Sequence, residues 1–222
     1  QGLDGGARHS GAPVRKTERP APAGSAAAGR PAPRALPRGL PREVRLIGGS
    51  LRKSKLPVAD KPGLRPTPDR VRETLFNWLG QDLSGWRVLD AFAGSGALGF
   101  EAASRGAADV LLLERDTDLA RSLRASAERL KVTSVRTEVA DALAWKRRSA
   151  PGTFDLVLLD PPFDAGLQAP AMAAAAPLLA PGGWLYVEGP AELAEADLPP
   201  ALALWRQGRA GLVHYHLLQR NS

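Results

Sequence analysis

Asp160-Pro161-Pro162-Phe163 places an acid, two prolines and an aromatic ring directly after Phe154 to Leu159, a mostly apolar run of the kind that forms a buried parallel strand. In an open α/β sheet, ligands bind at the carboxyl ends of the strands, so these four residues stand where chemistry is done. Proline lacks a backbone N–H and fixes φ, and two in a row force the chain out of the sheet in a stiff, extended turn. Such a turn offers a carboxylate, a free backbone carbonyl and a ring around one flat substrate. An exocyclic amine on a nucleobase matches it, because its two N–H groups need two acceptors while the base stacks on an aromatic face. A strand that merely ended in an acid and a proline turn would read the same way, so the neighbouring motifs have to decide.

The second motif is Val88-Leu89-Asp90-Ala91-Phe92-Ala93-Gly94-Ser95-Gly96-Ala97-Leu98-Gly99, a strand joined to a helix by a glycine loop. Its glycines permit a sharp turn and close ligand approach, and the helix N-terminus adds partial positive charge. Gly94, Gly96 and Gly99 also spell the dinucleotide pattern G-x-G-x-x-G. Asp90 argues against that reading, since a carboxylate repels a pyrophosphate but attracts an amino acid ammonium or a sulfonium. Glu114 ends the next strand, where an acid can accept both hydroxyls of a ribose. Asp141 follows the third strand and could take an adenine amino hydrogen. Three acids at successive strand ends beside a glycine loop fit a nucleoside bound across the sheet edge.

These residues must be held by a scaffold, and 222 residues suffice for one α/β domain with an appendage. Strands are expected at 86–90, 110–114, 135–139, 154–159 and 183–188, with helices at 97–104, 117–130 and 167–179; the alternation predicts a doubly wound parallel sheet. Ala201 to Gln207 and Leu212 to Gln219 flank Gly208-Arg209-Ala210-Gly211 and predict a closing antiparallel hairpin, hence a mixed sheet. Upstream, Val44 to Ile47 and Ser50 to Val58 flank Gly48-Gly49, which predicts a β-hairpin with a two-residue glycine turn. Thr67 is placed to cap a helix that begins at Pro68, carries Val71, Leu75, Trp78 and Leu79 on one face and stops at Gly80.

Charge divides the chain. Residues 1–42 carry eight basic and two acidic side chains, residues 43–73 eight and four, and residues 74–222 fourteen and seventeen, so all the excess of the net +7 lies in the first third. A basic leader on a slightly acidic body predicts contact with a polyanion. Residues 1–42, rich in Pro, Ala, Gly and Arg, are expected to form a disordered tail, residues 43–64 a basic hairpin extension, and residues 65–222 the catalytic domain. Arg45, Arg52, Lys53 and Lys55 on the hairpin, with Arg65, Arg70 and Arg72 around the first helix, are candidate phosphate contacts. No run approaches the roughly 18 apolar residues of a membrane span, and no secretory apolar segment stands near residue 1. Cysteine is absent, and His9, His214 and His216 have no metal-ligand spacing, so no metal is expected.

Taken together, Val44 to Gly49, Arg65 to Asn77, Asp90 to Gly99 and Asp160 to Phe163 resemble the RsmD family, bacterial class I S-adenosylmethionine-dependent methyltransferases acting on N2 of one guanine in 16S ribosomal RNA. The resemblance covers residues 44–220. It implies a Rossmann-like, seven-stranded mixed sheet with an antiparallel last strand, preceded by a small β-hairpin extension. It further implies S-adenosylmethionine as cofactor and a cytoplasmic, monomeric enzyme that meets 16S rRNA within the 30S subunit or a late assembly particle. Residue by residue, Asp90, Ala93, Gly94 and Gly96 would contact the methionine part of the cofactor, Glu114 its ribose, and Asp141 with Ala142 its adenine. Arg65 and Thr67 would help close that pocket. Asp160 and the Pro161 carbonyl would grip the guanine amine, and Phe163 would stack on the flipped base. Asp164 would add negative charge at the mouth of the RNA site. Three rivals stand beside this reading: a DNA or RNA adenine-N6 methyltransferase, a nicotinamide oxidoreductase and a non-catalytic RNA-binding module.

Overall fold

Alternate residues of each central strand feed two separate cores. Val88, Val110, Leu112, Leu156, Leu158 and Leu217 belong to one apolar cluster, whereas Leu89, Leu111, Leu113, Val157, Leu159 and Leu218 belong to the other. This is the period-two pattern of a sheet covered on both faces, and it explains why the strands read as continuous apolar runs.

The computed structural model describes residues 42–146, 149–163 and 166–222, all within one unit, Gly39–Ser222. The expected tail, apart from Arg42, and Asp164 lie outside the described residues. The chain begins with β1 (Glu43–Arg45), β2 (Lys55–Pro57) and α1 (Asp69–Trp78). It continues through β3 (Arg87–Asp90), α2 (Ala97–Ser104), β4 (Asp109–Glu114), α3 (Thr117–Arg129), β5 (Val135–Val139) and α4 (Ala142–Lys146). Then come β6 (Phe154–Leu159), α5 (Gln168–Ala175), β7 (Leu179–Gly189), β8 (Leu202–Ala210) and β9 (Val213–Arg220). The main sheet has the order β5-β4-β3-β6-β7-β9-β8. Only β9 runs antiparallel, to both β7 and β8. Strand order reverses between β3, which pairs with β4 on one side, and β6 on the other. That switch point opens a crevice at the carboxyl ends of β3 and β6, and therefore at Asp90 and Asp160.

Several local readings are corrected. Gly48-Gly49 is not a two-residue hairpin turn, because β1 pairs with β2 only at Glu43↔Pro57 to Arg45↔Lys55 and a loop spans 46–54. The glycines serve a docking contact instead. Gly49 has φ +75°, and a Cβ there would lie 1.8 Å from the Ser104 carbonyl oxygen at the end of α2. Ser50 N–H donates to that oxygen at 2.7 Å. Thr67 does not cap α1, whose N-terminus has no side-chain cap; its hydroxyl is drawn to a buried carboxylate described below. The helix expected at 167–179 ends as α5 at Ala175, followed by a single 3-10 turn over Ala176–Leu178. Pro177 lies in that turn and cannot donate the next helical hydrogen bond. β7 accordingly starts early, at Leu179, and shifts register before Leu156↔Trp184. Gly208 to Ala210 belong to β8 rather than to a turn, with Ala210↔Val213 the last pair. A Cβ on Gly208 would sit 2.4 Å from the Tyr215 ring, so that glycine makes room for an aromatic side chain.

Candidate active site

The loop from Ala91 to Gly96 leaves β3 beneath its own helix. Gly94 (φ +54°) and Gly96 (φ +82°) take left-handed conformations that suit glycine. A Cβ on Gly96 would press on Leu123 and Phe100, and one on Gly99 would lie 2.2 Å from Leu112. Gly99 thus lets α2 pack closely on β4. Asp90 is buried, and its Oδ2 accepts the Gly99 N–H at 3.0 Å. A carboxylate occupies the amide that a pyrophosphate would need, which removes the basis of the dinucleotide reading.

Glu114 reaches from the end of β4 back to the same loop, where its Oε2 accepts the Gly94 N–H at 3.0 Å and its Oε1 the Asp116 N–H at 3.0 Å. Ala93 N–H donates to Leu113 O, pinning the loop against β4. Asp141 follows β5, exposed, and its Oδ1 accepts the Ala144 N–H at 2.9 Å, which starts α4 beside buried Ala142. The glycine loop and these acids therefore line one edge of the sheet in the order expected.

The segment before α1 crosses above that edge. Lys61 Nζ contacts Asp116 Oδ2 at 2.6 Å, and Leu64 Cδ1 lies 3.0 Å from the Cβ position of Gly94. Thr67 Oγ1, buried, donates to Glu188 Oε1 at 2.8 Å on the end of β7. Arg65 lies exposed on this strap, so it and Thr67 differ sharply in surroundings.

Asp160 follows β6 and is half-buried, Pro161 is buried, and Phe163 is 40% exposed. The ring is open to solvent and available to stack. Burial drives the Asp160 carboxyl well above the ordinary carboxylate range, with adjacent Glu188 and then Asp90 adding to the rise. Asp90 is pushed up to about 7, by burial first and by Glu114 and Glu188 further. Among the described residues no lysine or arginine pairs with Asp90, Asp160 or Glu188. Buried acids without a counter-charge are costly, and a cationic ligand relieves that cost. Sequence reasoning missed Glu188, although an acid at the end of a strand was the very signal used for Glu114.

The basic residues separate into two kinds. Arg45, Arg52, Lys53, Lys55, Arg65 and Arg70 are exposed. Arg45, Arg52 and Lys53 share one shallow pocket with Asp69, while Lys55 pairs with Glu43 at 3.0 Å. Arg72 is no phosphate contact: it is fully buried, pairs with Glu101 at 3.1 Å and also contacts Asp69.

The sequence profile of the family "Conserved hypothetical protein 95" matches residues 44–219. The ribosomal RNA small subunit methyltransferase D of Escherichia coli K12 is 42% identical over 187 residues, covering 81% of this chain and 91% of that protein. The chain belongs to the RsmD family. The enzyme of the same name from Haemophilus influenzae is 41% identical over 186 residues, covering 80% of this chain and 94% of its own length. Among solved structures, Escherichia coli yhhF superposes with a TM-score of 0.72 at 40% identity, covering 81% of this chain and 99% of that one. TrmN from Thermus thermophilus gives 0.58 at 27% identity, covering 68% and 48%. The fold is the class I, Rossmann-like methyltransferase fold with an antiparallel hairpin in front, and the RsmD match spans the glycine loop, the strap and the acid-proline turn alike.

Proposed function

We propose that this chain transfers a methyl group from S-adenosylmethionine to the exocyclic N2 amine of a guanine in 16S ribosomal RNA, the guanine-966 type of reaction. The reaction would take place in the cytoplasm on 30S subunits or late assembly particles. The observation that carries this reading is the pairing, at one switch point, of a cation-seeking acid cluster with Asp160-Pro161 and an exposed Phe163.

S-adenosylmethionine supplies an electrophilic methyl group and a permanent positive charge. Asp90 and the glycine loop of Ala93, Gly94 and Gly96 suit its amino acid end, Glu114 its ribose, and Asp141 with Ala142 its adenine. The fit rests on charge: the acids are buried without cations, and their raised proton affinity falls when a positive group arrives.

Guanine N2 is a poor nucleophile because its lone pair is drawn into the ring. Asp160 and the Pro161 carbonyl would accept its two hydrogens, favouring a pyramidal nitrogen with the lone pair aimed at the methyl carbon. Phe163 would hold the base by stacking. Alignment of this kind supplies up to about 7–11 kcal/mol, and the carboxyl cluster stabilises the amine as it becomes cationic. The exposed residues Arg45, Arg52, Lys53, Lys55, Arg65 and Arg70 would contact RNA phosphates.

The test separates chemistry from cofactor binding. Wild-type protein should transfer labelled methyl groups to small-subunit particles, and Asp160→Ala should lose that transfer while binding S-adenosylmethionine normally. Near-normal transfer by Asp160→Ala would reject the site.

A further inference from the structure

The register of the sheet puts a second carboxylate beside Asp160. Leu159 on β6 pairs with Val187 on β7, so the next residues, Asp160 and Glu188, are neighbours across two parallel strands, and their carboxyls are in hydrogen-bonding contact. Glu188 is only 3% exposed. Its Oε1 accepts from Thr67 Oγ1 at 2.8 Å and from the Tyr186 hydroxyl at 2.7 Å. Both donors fall on one oxygen, which leaves Oε2 available to Asp160. They come from the strap and from β7, so the orientation of Glu188 is fixed from two sides.

We propose that Glu188 is a positioning residue for Asp160, and that the two carboxyls work as a pair sharing one proton between them. This rests on the methyl-transfer reading and deepens it. Two adjacent carboxylates in a buried site cannot both ionise readily, so one proton remains between them at neutral pH. The other titratable groups facing the pair are Asp90 on β3, Tyr186 on β7 and Tyr215, which pairs with Glu188 from β9. None of these is a cation. Thr67 and Tyr186 stabilise charge on Glu188, so the shared proton rests on Asp160.

The step balances as follows. The N2 lone pair forms the N–C bond as the C–S bond breaks, its electrons passing to sulfur. N2 then gives one hydrogen to Asp160 as a proton while the shared proton passes to Glu188. The pair is then doubly protonated, and it returns one proton to water before the next turnover.

Two readouts on the full chain test this. In a carboxyl-carbon NMR titration of protein labelled at Asp and Glu, Asp160 and Glu188 should titrate together. In Glu188→Gln, Asp160 should ionise lower by about one pH unit or more, because a neighbouring charge is gone. An unchanged Asp160 titration would overturn the pair. In methyl transfer to small-subunit particles, the acidic limb of the pH–rate profile should move down by a similar amount in Glu188→Gln, with the KM for S-adenosylmethionine unchanged within about twofold. A uniform loss at every pH with no movement of the limb would reduce Glu188 to a structural support and contradict the inference. Should Glu188→Gln fail to fold, Tyr186→Phe serves: with one donor lost from Glu188 the limb should move up, and an unmoved limb overturns the proposal. If wild-type protein transfers no methyl to the particles, the functional reading fails while the NMR titration still decides the pair.

Discussion

Arg72 and Glu101 form a buried ion pair at 3.1 Å, both side chains without solvent exposure, joining α1 to α2. Glu101 also accepts the backbone N–H groups of Ile47 and Gly48 at 3.0 and 2.9 Å, and Arg72 donates to the Arg45 carbonyl. One carboxylate thus ties the hairpin loop, α1 and α2 together. Glu101→Gln should destabilise the protein by about 3–5 kcal/mol, the range for breaking a buried pair. Urea unfolding checks this, and a loss below about 1 kcal/mol, as at a surface pair, would contradict it.

Docking of the hairpin depends on glycine at 49. Gly49→Ala puts a methyl carbon against the Ser104 carbonyl at a positive φ, so the loop must lift from α2. Amide exchange at Ser50, whose N–H donates to Ser104, should accelerate by an order of magnitude or more, as roughly 1–3 kcal/mol of local strain requires. Unchanged exchange would show that the loop accommodates the methyl group in place.

Asp90 makes stability and ligand binding depend on pH. Its carboxyl is raised from 3.8 to about 7, so the folded protein binds more protons than the unfolded chain across that window. The stability it contributes is fully present below the unfolded value and is lost as pH rises towards 7. The melting temperature of the cofactor-free protein should therefore fall between pH 5 and 7, and Asp90→Asn should flatten that slope. S-adenosylmethionine favours the ionised acid, so its affinity should rise with pH below about 7, by up to tenfold per unit, with proton release visible by calorimetry in two buffers.

Phe163 is exposed and outside the cofactor edge, so Phe163→Leu should raise the KM for particles by roughly 5–100-fold, the range of one lost stacking contact. S-adenosylmethionine affinity should stay constant. Equal loss of both affinities would point to misfolding.

Neutralising Arg52, Lys53 and Lys55 together should flatten the salt dependence of particle binding, because fewer counterions are released from phosphate. Lys55 already pairs with Glu43, so most of the change should come from Arg52 and Lys53. An unchanged slope would leave the hairpin a packing element.

The sheet was legible because apolar runs at parallel strands and acids at their ends are local signals, and β3, β5 and β6 fall within a residue of their expected bounds. What escaped depended on partners far away in sequence. Thr67 reads as a helix cap from its neighbours, but its partner Glu188 lies 121 residues on. Arg72 reads as a surface cation, yet it stands three, four and seven residues before Leu75, Phe76 and Leu79, on the face that α1 buries. That spacing was available as a signal. The glycines at 48 and 49 satisfied a hairpin rule while their true constraint was the end of α2.

The most direct measurement is nucleoside analysis after transfer of labelled methyl from S-adenosylmethionine to small ribosomal particles that lack the modification, with naked ribosomal RNA and duplex DNA alongside. Label recovered as N2-methylguanine from the particles is the predicted result. Label in N6-methyladenine, or none on any substrate, would leave the fold intact and contradict the function.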